Sequence, residues 1–154
     1  MKITLKRVCL WALSCVLFAN GVHADTRAHE KEELARFSRY AGDPIDQFPM
    51  FDLWQWQVVG PQNVVVWSKI NEAYLIGVDK PCTNLEWAHG LSLTQEMRQK
   101  VTKKFDFVVF RDQRCKITEI RPIDYQAMLK SGDAKPADAA RNPAANGTQG
   151  SGGT

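Results

Sequence analysis

Residues 51–78 read FDLWQWQVVGPQNVVVWSKINEAYLIGV, and the way this stretch divides decides the fold. It holds three runs rich in β-branched and aromatic residues, separated by short polar breaks. FDLWQWQVV predicts a first strand, with Trp54, Trp56 and Val58 on one face and Phe51 and Leu53 on the other. GPQN is a turn. NVVVWSK predicts a second strand and EAYLIGV a third. Strands that follow one another in runs, without long helices between them, argue for an antiparallel α+β domain over a doubly wound α/β fold.

Downstream, DKPC turns the chain out of the third strand. TNLE has the form of a capping box, Thr83 capping and Glu86 reaching back, and predicts a short helix through Leu85, Ala88 and His89. Thr94 is placed to cap a second short helix through Met97 and Val101. FDFVVFR and CKITEIR predict two more strands joined around DQR. Pairing Phe110 with Cys115 also sets Val108 opposite Ile117, apolar against apolar. Loops of two and of four residues both fit this hairpin. Pro122 is expected to end the last strand, and IDYQAMLK to give a closing helical turn or two.

Upstream, HEKEELARFSRYAG predicts an amphipathic helix with Leu34, Phe37 and Tyr40 on one side, ended by Gly42 and Pro44. Several strands carry apolar residues on both faces, so each face of the sheet should be covered. The expectation is one small curved antiparallel sheet of about five strands with flanking short helices, over residues 28–130.

The two ends read differently. Residues 1–24 have the form of a secretory signal: Lys2, Lys6 and Arg7, then the apolar VCLWALSCVLFANGV, then VHA for cleavage after Ala24. The apolar run is shorter than the roughly 20 residues of a comfortable membrane span. A retained N-terminal anchor and a lipid on Cys15 after ALSC are the alternatives. Residues 131–154 have no large apolar side chain and predict a disordered tail. The chain carries 20 Lys and Arg against 17 Asp and Glu. Three of those bases and none of the acids lie in residues 1–24, so the mature chain is balanced at 17 against 17. That balance argues against nucleic-acid binding, which needs a basic surplus on one face. RQKVTKK is a local basic run, read as a solvated face of a short helix or loop.

Four cysteines are present, and Cys9 and Cys15 leave with the signal. Cys82 and Cys115 remain, and an even count in a small exported domain reads as a disulfide. The bridge would close a loop of 34 residues counted from Cys82 through Cys115, and chain entropy values that at roughly 3–4 kcal/mol. The rival is a Cys82 thiolate activated by His89. Seven residues along a helix separate two groups by about 10 Å, too far for a hydrogen bond unless the chain folds back. No zinc ligand set, calcium loop, phosphate-binding glycine loop or nucleophile elbow is present, so neither metal nor cofactor is expected. Trp54, Trp56, Trp67 and Trp87 all lie in the domain. They either fill the core or offer an aromatic binding face, with Trp54, Trp56 and Trp67 as its platform and Asn71 and Tyr74 as its polar rim. A curved sheet could also enclose a small ligand among Trp54, Trp67 and Phe107.

Two strings, VVVWSKINEAYLIGVDKPCTNLEWAHGLSLT and FDFVVFRDQRCKITEIRPID, resemble a family of short exported proteobacterial proteins known only as a domain of unknown function. The shared pattern covers about residues 54–124: a Trp-containing strand, NEAYLI, a cysteine separated by two residues from Leu85, a strand opening on FD, a second cysteine followed by a basic residue and Ile, and RPID. The resemblance implies an exported domain with a cysteine pair at Cys82 and Cys115. The expected role is a non-enzymatic periplasmic or secreted module that binds an envelope protein or a cell-wall component. The alternatives are a Cys82-dependent enzyme and the small-ligand carrier.

Overall fold

The computed structural model of the chain describes residues 21–80 and 82–135. Most of the expected signal, residues 1–20, and the tail beyond residue 135 lie outside the described residues. In chain order the elements are α1 (Gly21–Ser38), β1 (Gln47–Pro49), β2 (Gln55–Gly60), β3 (Asn63–Lys69), β4 (Glu72–Val78), a 3-10 turn (Leu85–Trp87), β5 (Ser92–Leu93), β6 (Lys100–Thr102), β7 (Phe107–Phe110), β8 (Gln113–Ile123) and α2 (Tyr125–Lys130). The architecture is α+β. A curled antiparallel sheet of six strands runs in the order β2-β3-β4-β8-β7-β5, and β1 and β6 form a separate two-stranded ribbon. Strands β3 and β4 fall where the sequence puts them; β2 begins at Gln55 and not at Phe51, β7 covers only Phe107–Phe110 of FDFVVFR, β8 outruns CKITEIR at both ends, and α1 ends at Ser38, short of Gly42. The additions are the very short β1, β5 and β6.

Strand β3 shows why the sheet forms. All four residues of Val64–Val65–Val66–Trp67 are fully buried. Because side chains alternate across a strand, they supply two cores. Val64 and Val66 face a core with Trp56, Tyr74, Ile76, Val108, Phe110, Ile117 and the two cysteines. Val65 and Trp67 face a second core with Phe37 of α1 and Tyr125 and Met128 of α2. Trp67 is held edge-on between the rings of Phe37 and Tyr125, at 5.9 and 6.0 Å.

The eleven-residue β8 links the halves. Its start pairs with β7 and its later part with β4. Beyond β7 its outer edge is capped by residues 41–45, through Gly42 N–H to Pro122 O and Ile45 N–H to Ile120 O, both at 2.8 Å. Pro122 therefore lies inside the strand and does not end it. It lacks an N–H, but its carbonyl still accepts a bond across the edge. The β7–β8 hairpin takes the tighter register, Val108 opposite Cys115 and Phe110 opposite Gln113, with Arg111 at a positive φ of 49° in its two-residue loop. A shift of two residues keeps the same side chains facing inward.

Cys82 and Cys115 form a disulfide inside the first core. Two local expectations are corrected. Asn84, not Thr83, precedes the 3-10 turn, and it makes no side-chain cap; the Thr83 hydroxyl instead accepts from Gln113. No helix follows Thr94; the segment makes a tight turn at Met97–Lys100 and then strand β6.

The start of the expected tail is tied to α1. Tyr40 OH donates to the Asp133 carboxylate at 2.6 Å, and the Arg36 guanidinium donates to the Asp133 carbonyl at 2.7 Å. Lys135 reaches the buried Glu33 carboxylate, which also accepts from Arg36 at 2.6 Å and from Gln57 at 2.9 Å. Burial alone would raise the Glu33 carboxyl. Hydrogen bonds and charge from Arg36 and Lys135 outweigh it and bring the pKa down to about 2.

Candidate functional site

Strands β1 and β6 build an amphipathic ribbon. Phe48 and Val101 point inward and are buried, and Phe48 stacks on Tyr74 at 4.0 Å. Gln47 and Lys100 point out to solvent. Beside this ribbon lies a groove of about 390 Å³ lined by Asp46, Gln47, Met97, Thr102, Lys103, Lys104 and Phe105. Met97 and Phe105 are about half exposed, at 49% and 51%. Phe51, Trp87 and Ile70 are more exposed still, but they do not line this groove, where two exposed apolar side chains come together.

One buried carboxylate shapes both walls of the groove. Asp106, with no exposed surface, receives four hydrogen bonds. Its Oδ1 accepts from Thr94 Oγ1 and the Glu96 N–H, each at 2.9 Å. Its Oδ2 accepts from the Thr102 N–H at 2.7 Å and Thr102 Oγ1 at 2.8 Å. Its own N–H closes a turn onto the Thr102 carbonyl, and that turn carries Lys103, Lys104 and Phe105 at its tip. The bond to Glu96 fixes the backbone next to Met97 on the opposite wall. Burial disfavours the charged form of Asp106. The donors from Glu96, Thr102 and Thr94 reverse that and hold its pKa below the ordinary carboxylate range. The same hydroxyls serve twice, since Thr94 Oγ1 accepts from the Phe107 N–H and Thr102 Oγ1 from the Phe105 N–H.

Charge around the groove is uneven. Arg98, Lys100 and Lys104 are exposed and Lys103 is half-buried. Of these, Lys103 and Lys104 line the groove with Asp46, Lys103 Nζ lying 3.5 Å from Asp46, while Arg98, Lys100 and the exposed acid Glu96 belong to the segment around Met97. The turn that carries Arg98 needs a left-handed residue, supplied by Gln99 at φ 63°, and it closes through Lys100 N–H to Met97 O.

Several residues of the two strings quoted above have structural tasks. Asp106 orders the groove, Cys82 bonds to Cys115, Arg121 donates to the Gly42 carbonyl at 2.8 Å, and Asp124 caps α2 by accepting from Ala127. A family model matches residues 1–139. The chain belongs to the family of unknown function DUF6491. No curated protein and no solved structure matches this DUF6491 chain.

The residues proposed from the sequence as a binding face are not brought together. Trp56 lies in the first core and Trp54 packs against the second, because the regular alternation begins only at Gln55. Trp67 is fully buried and Trp56 nearly so, and their indole N–H groups find no acceptor among the described residues. These two rings act through apolar bulk. Tyr74 is buried against Phe48, and Asn71 is exposed at the β3–β4 turn. Burial, then the hydrogen bond to Glu72 at 2.8 Å, raise the Tyr74 phenol well above its ordinary pKa. Trp54, Trp67 and Phe107 do not enclose a pocket: Phe107 is half-buried on β7 under the Arg114 guanidinium, 4.7 Å from its ring. With Cys82 in the disulfide, this state has no thiolate for the exposed His89 to activate.

Among the described residues no group of three His, Cys, Asp or Glu side chains is placed to hold a metal ion. No helix among them is long and apolar enough to cross a membrane. The groove was missed because RQKVTKK reads as a solvated face and Met97 as part of a short helix with Val101. Phe105 reads as the first residue of the strand FDFVVFR, whereas β7 begins only at Phe107 and leaves Phe105 on the preceding turn.

Proposed function

We propose that the chain is exported to the bacterial cell envelope and works there as a non-enzymatic binding domain, taking up an envelope component through the groove beside β1 and β6. The observation that carries this reading is the groove itself, where exposed Met97 and Phe105 meet a surplus of cations on a turn fixed by Asp106. The Cys82–Cys115 disulfide suits an oxidising compartment, and the form of residues 1–24 suits a cleaved export signal. The most strongly held ionisable groups, Glu33, Glu72 and Asp106, are each engaged by three or more donors. Such carboxylates hold structure and have little capacity left for proton transfer.

The test has two parts. Fractionation of producing cells should place the protein in the periplasm or medium, with a mass fitting loss of residues 1–24 and alkylation of two cysteines only after reduction. The purified protein should then co-sediment with isolated envelopes, and substitutions at Lys104 and Phe105 should reduce this. Cytoplasmic retention with free thiols, or envelope binding indifferent to both substitutions, would overturn the reading.

A further inference from the structure

The partner can be specified further, on the proposal that the groove is the binding site. We infer that the groove docks on an anionic phospholipid surface. The occupant must satisfy two features at once. It must accept half-exposed Phe105 and Met97 as apolar insertions, and it must offer negative charge to Lys104 in the lining, beside the Lys103–Asp46 pair, and to exposed Arg98 and Lys100 on the Met97–Lys100 turn. Asp106 adds no exposed anion; it is sealed below the turn by four donors.

An anionic bilayer supplies both features in the required order, charge at the headgroups and apolar chains beneath them. Polybasic segments flanking exposed apolar side chains bind such interfaces. The geometry suits shallow insertion. Phe105 sits at the tip of a tight turn, next to Lys104, and the turn is braced from below by a buried carboxylate. Insertion therefore orders no new backbone. The Met97–Lys100 turn forms the opposite wall, closed by its own hydrogen bond.

The experiment uses the protein as purified from the cells that process it. Co-sedimentation is measured with vesicles of mixed phosphatidylglycerol and phosphatidylcholine, with phosphatidylcholine vesicles, and with envelopes extracted of lipid. The variants are Lys100→Gln/Lys104→Gln and Phe105→Ser, whose thermal melts are checked against the parent; all three positions are exposed, so folding should survive. The expected result is binding to the anionic vesicles alone, weakened by salt. The double lysine variant should bind about thirtyfold more weakly, from about one kilocalorie per mole for each cation, and Phe105→Ser about tenfold more weakly. Vesicle binding unchanged by both variants would overturn the inference, because it would locate the contact elsewhere on the chain. Groove-dependent binding to lipid-extracted envelopes without vesicle binding would replace the lipid with a protein or wall polymer and leave the groove as the binding site. Absence of groove-dependent binding to all three targets would overturn both the inference and the reading on which it rests.

Discussion

Asp106→Asn isolates the part of the molecule that shapes the groove. The substitution is nearly isosteric, so its effect is one of hydrogen bonding. Each carboxylate oxygen faces one hydroxyl and one backbone N–H: Thr94 and Glu96 on one side, both donors from Thr102 on the other. A hydroxyl can turn and accept from an amide NH2; a backbone N–H cannot. Whichever way the new amide is flipped, one backbone N–H meets a donor and is left buried without an acceptor. That costs about 1–3 kcal/mol, and the remaining bonds lose the strength of a charged acceptor. We expect a total loss of about 2–4 kcal/mol at pH 7, a large share of the stability of a domain this size. The assay is urea unfolding with the m-value held common to both proteins.

The pH dependence sharpens the test. The folded Asp106 pKa is depressed, so its stabilisation is complete above the unfolded value of about 3.9 and is lost as pH falls through the folded value. The gap between parent and variant should therefore be constant from pH 8 to about pH 5 and narrow below about pH 4. A variant within about 0.5 kcal/mol of the parent at pH 7, or a gap that widens in acid, would refute the reasoning.

Removing the disulfide as Cys82→Ala/Cys115→Ala should cost about 4 kcal/mol by the chain entropy of its loop, read as a lower urea midpoint. Glu33→Gln should cost about 3 kcal/mol at pH 7, since it leaves the buried Arg36 and the Lys135 ammonium without their carboxylate. Because the folded Glu33 pKa is about 2, this difference should persist at pH 6 and shrink as pH drops from about 4.3 toward 2; equal unfolding curves at pH 6 would contradict it. Trp67→Ala should cost about 3–5 kcal/mol, as for a large ring removed from a closed core, whereas a neutral result would mean that Trp67 is not clamped between Phe37 and Tyr125.

The fold was legible wherever apolar pattern alone decides it. The β-branched runs of β3 and β4, and the bounds of both strands, follow from sequence because burial on both faces demands long uninterrupted apolar stretches. The Cys82–Cys115 pairing follows from counting once the signal is set aside. The groove was much less legible. Its ribbon strands have three residues each, too short for any period to show. Its order comes from Asp106 meeting Thr94, Glu96 and Thr102 through hydrogen bonds, which hydrophobic pattern does not encode. The opposite placements of Trp54 and Trp56 escaped for a related reason. Alternation predicts a shared face only inside a strand, and Trp54 precedes β2.

The disulfide has a topological consequence. Residues 82–115 form a covalent ring, and the groove residues of both turns, Met97 on one and Lys103, Lys104 and Phe105 on the other, belong to it. The ring enters and leaves the sheet at two fixed sulfur atoms. A protease cut within it yields two pieces that stay joined through the disulfide. The groove's two turns thus sit on a closed loop, while the β2-β3-β4 framework lies wholly outside it.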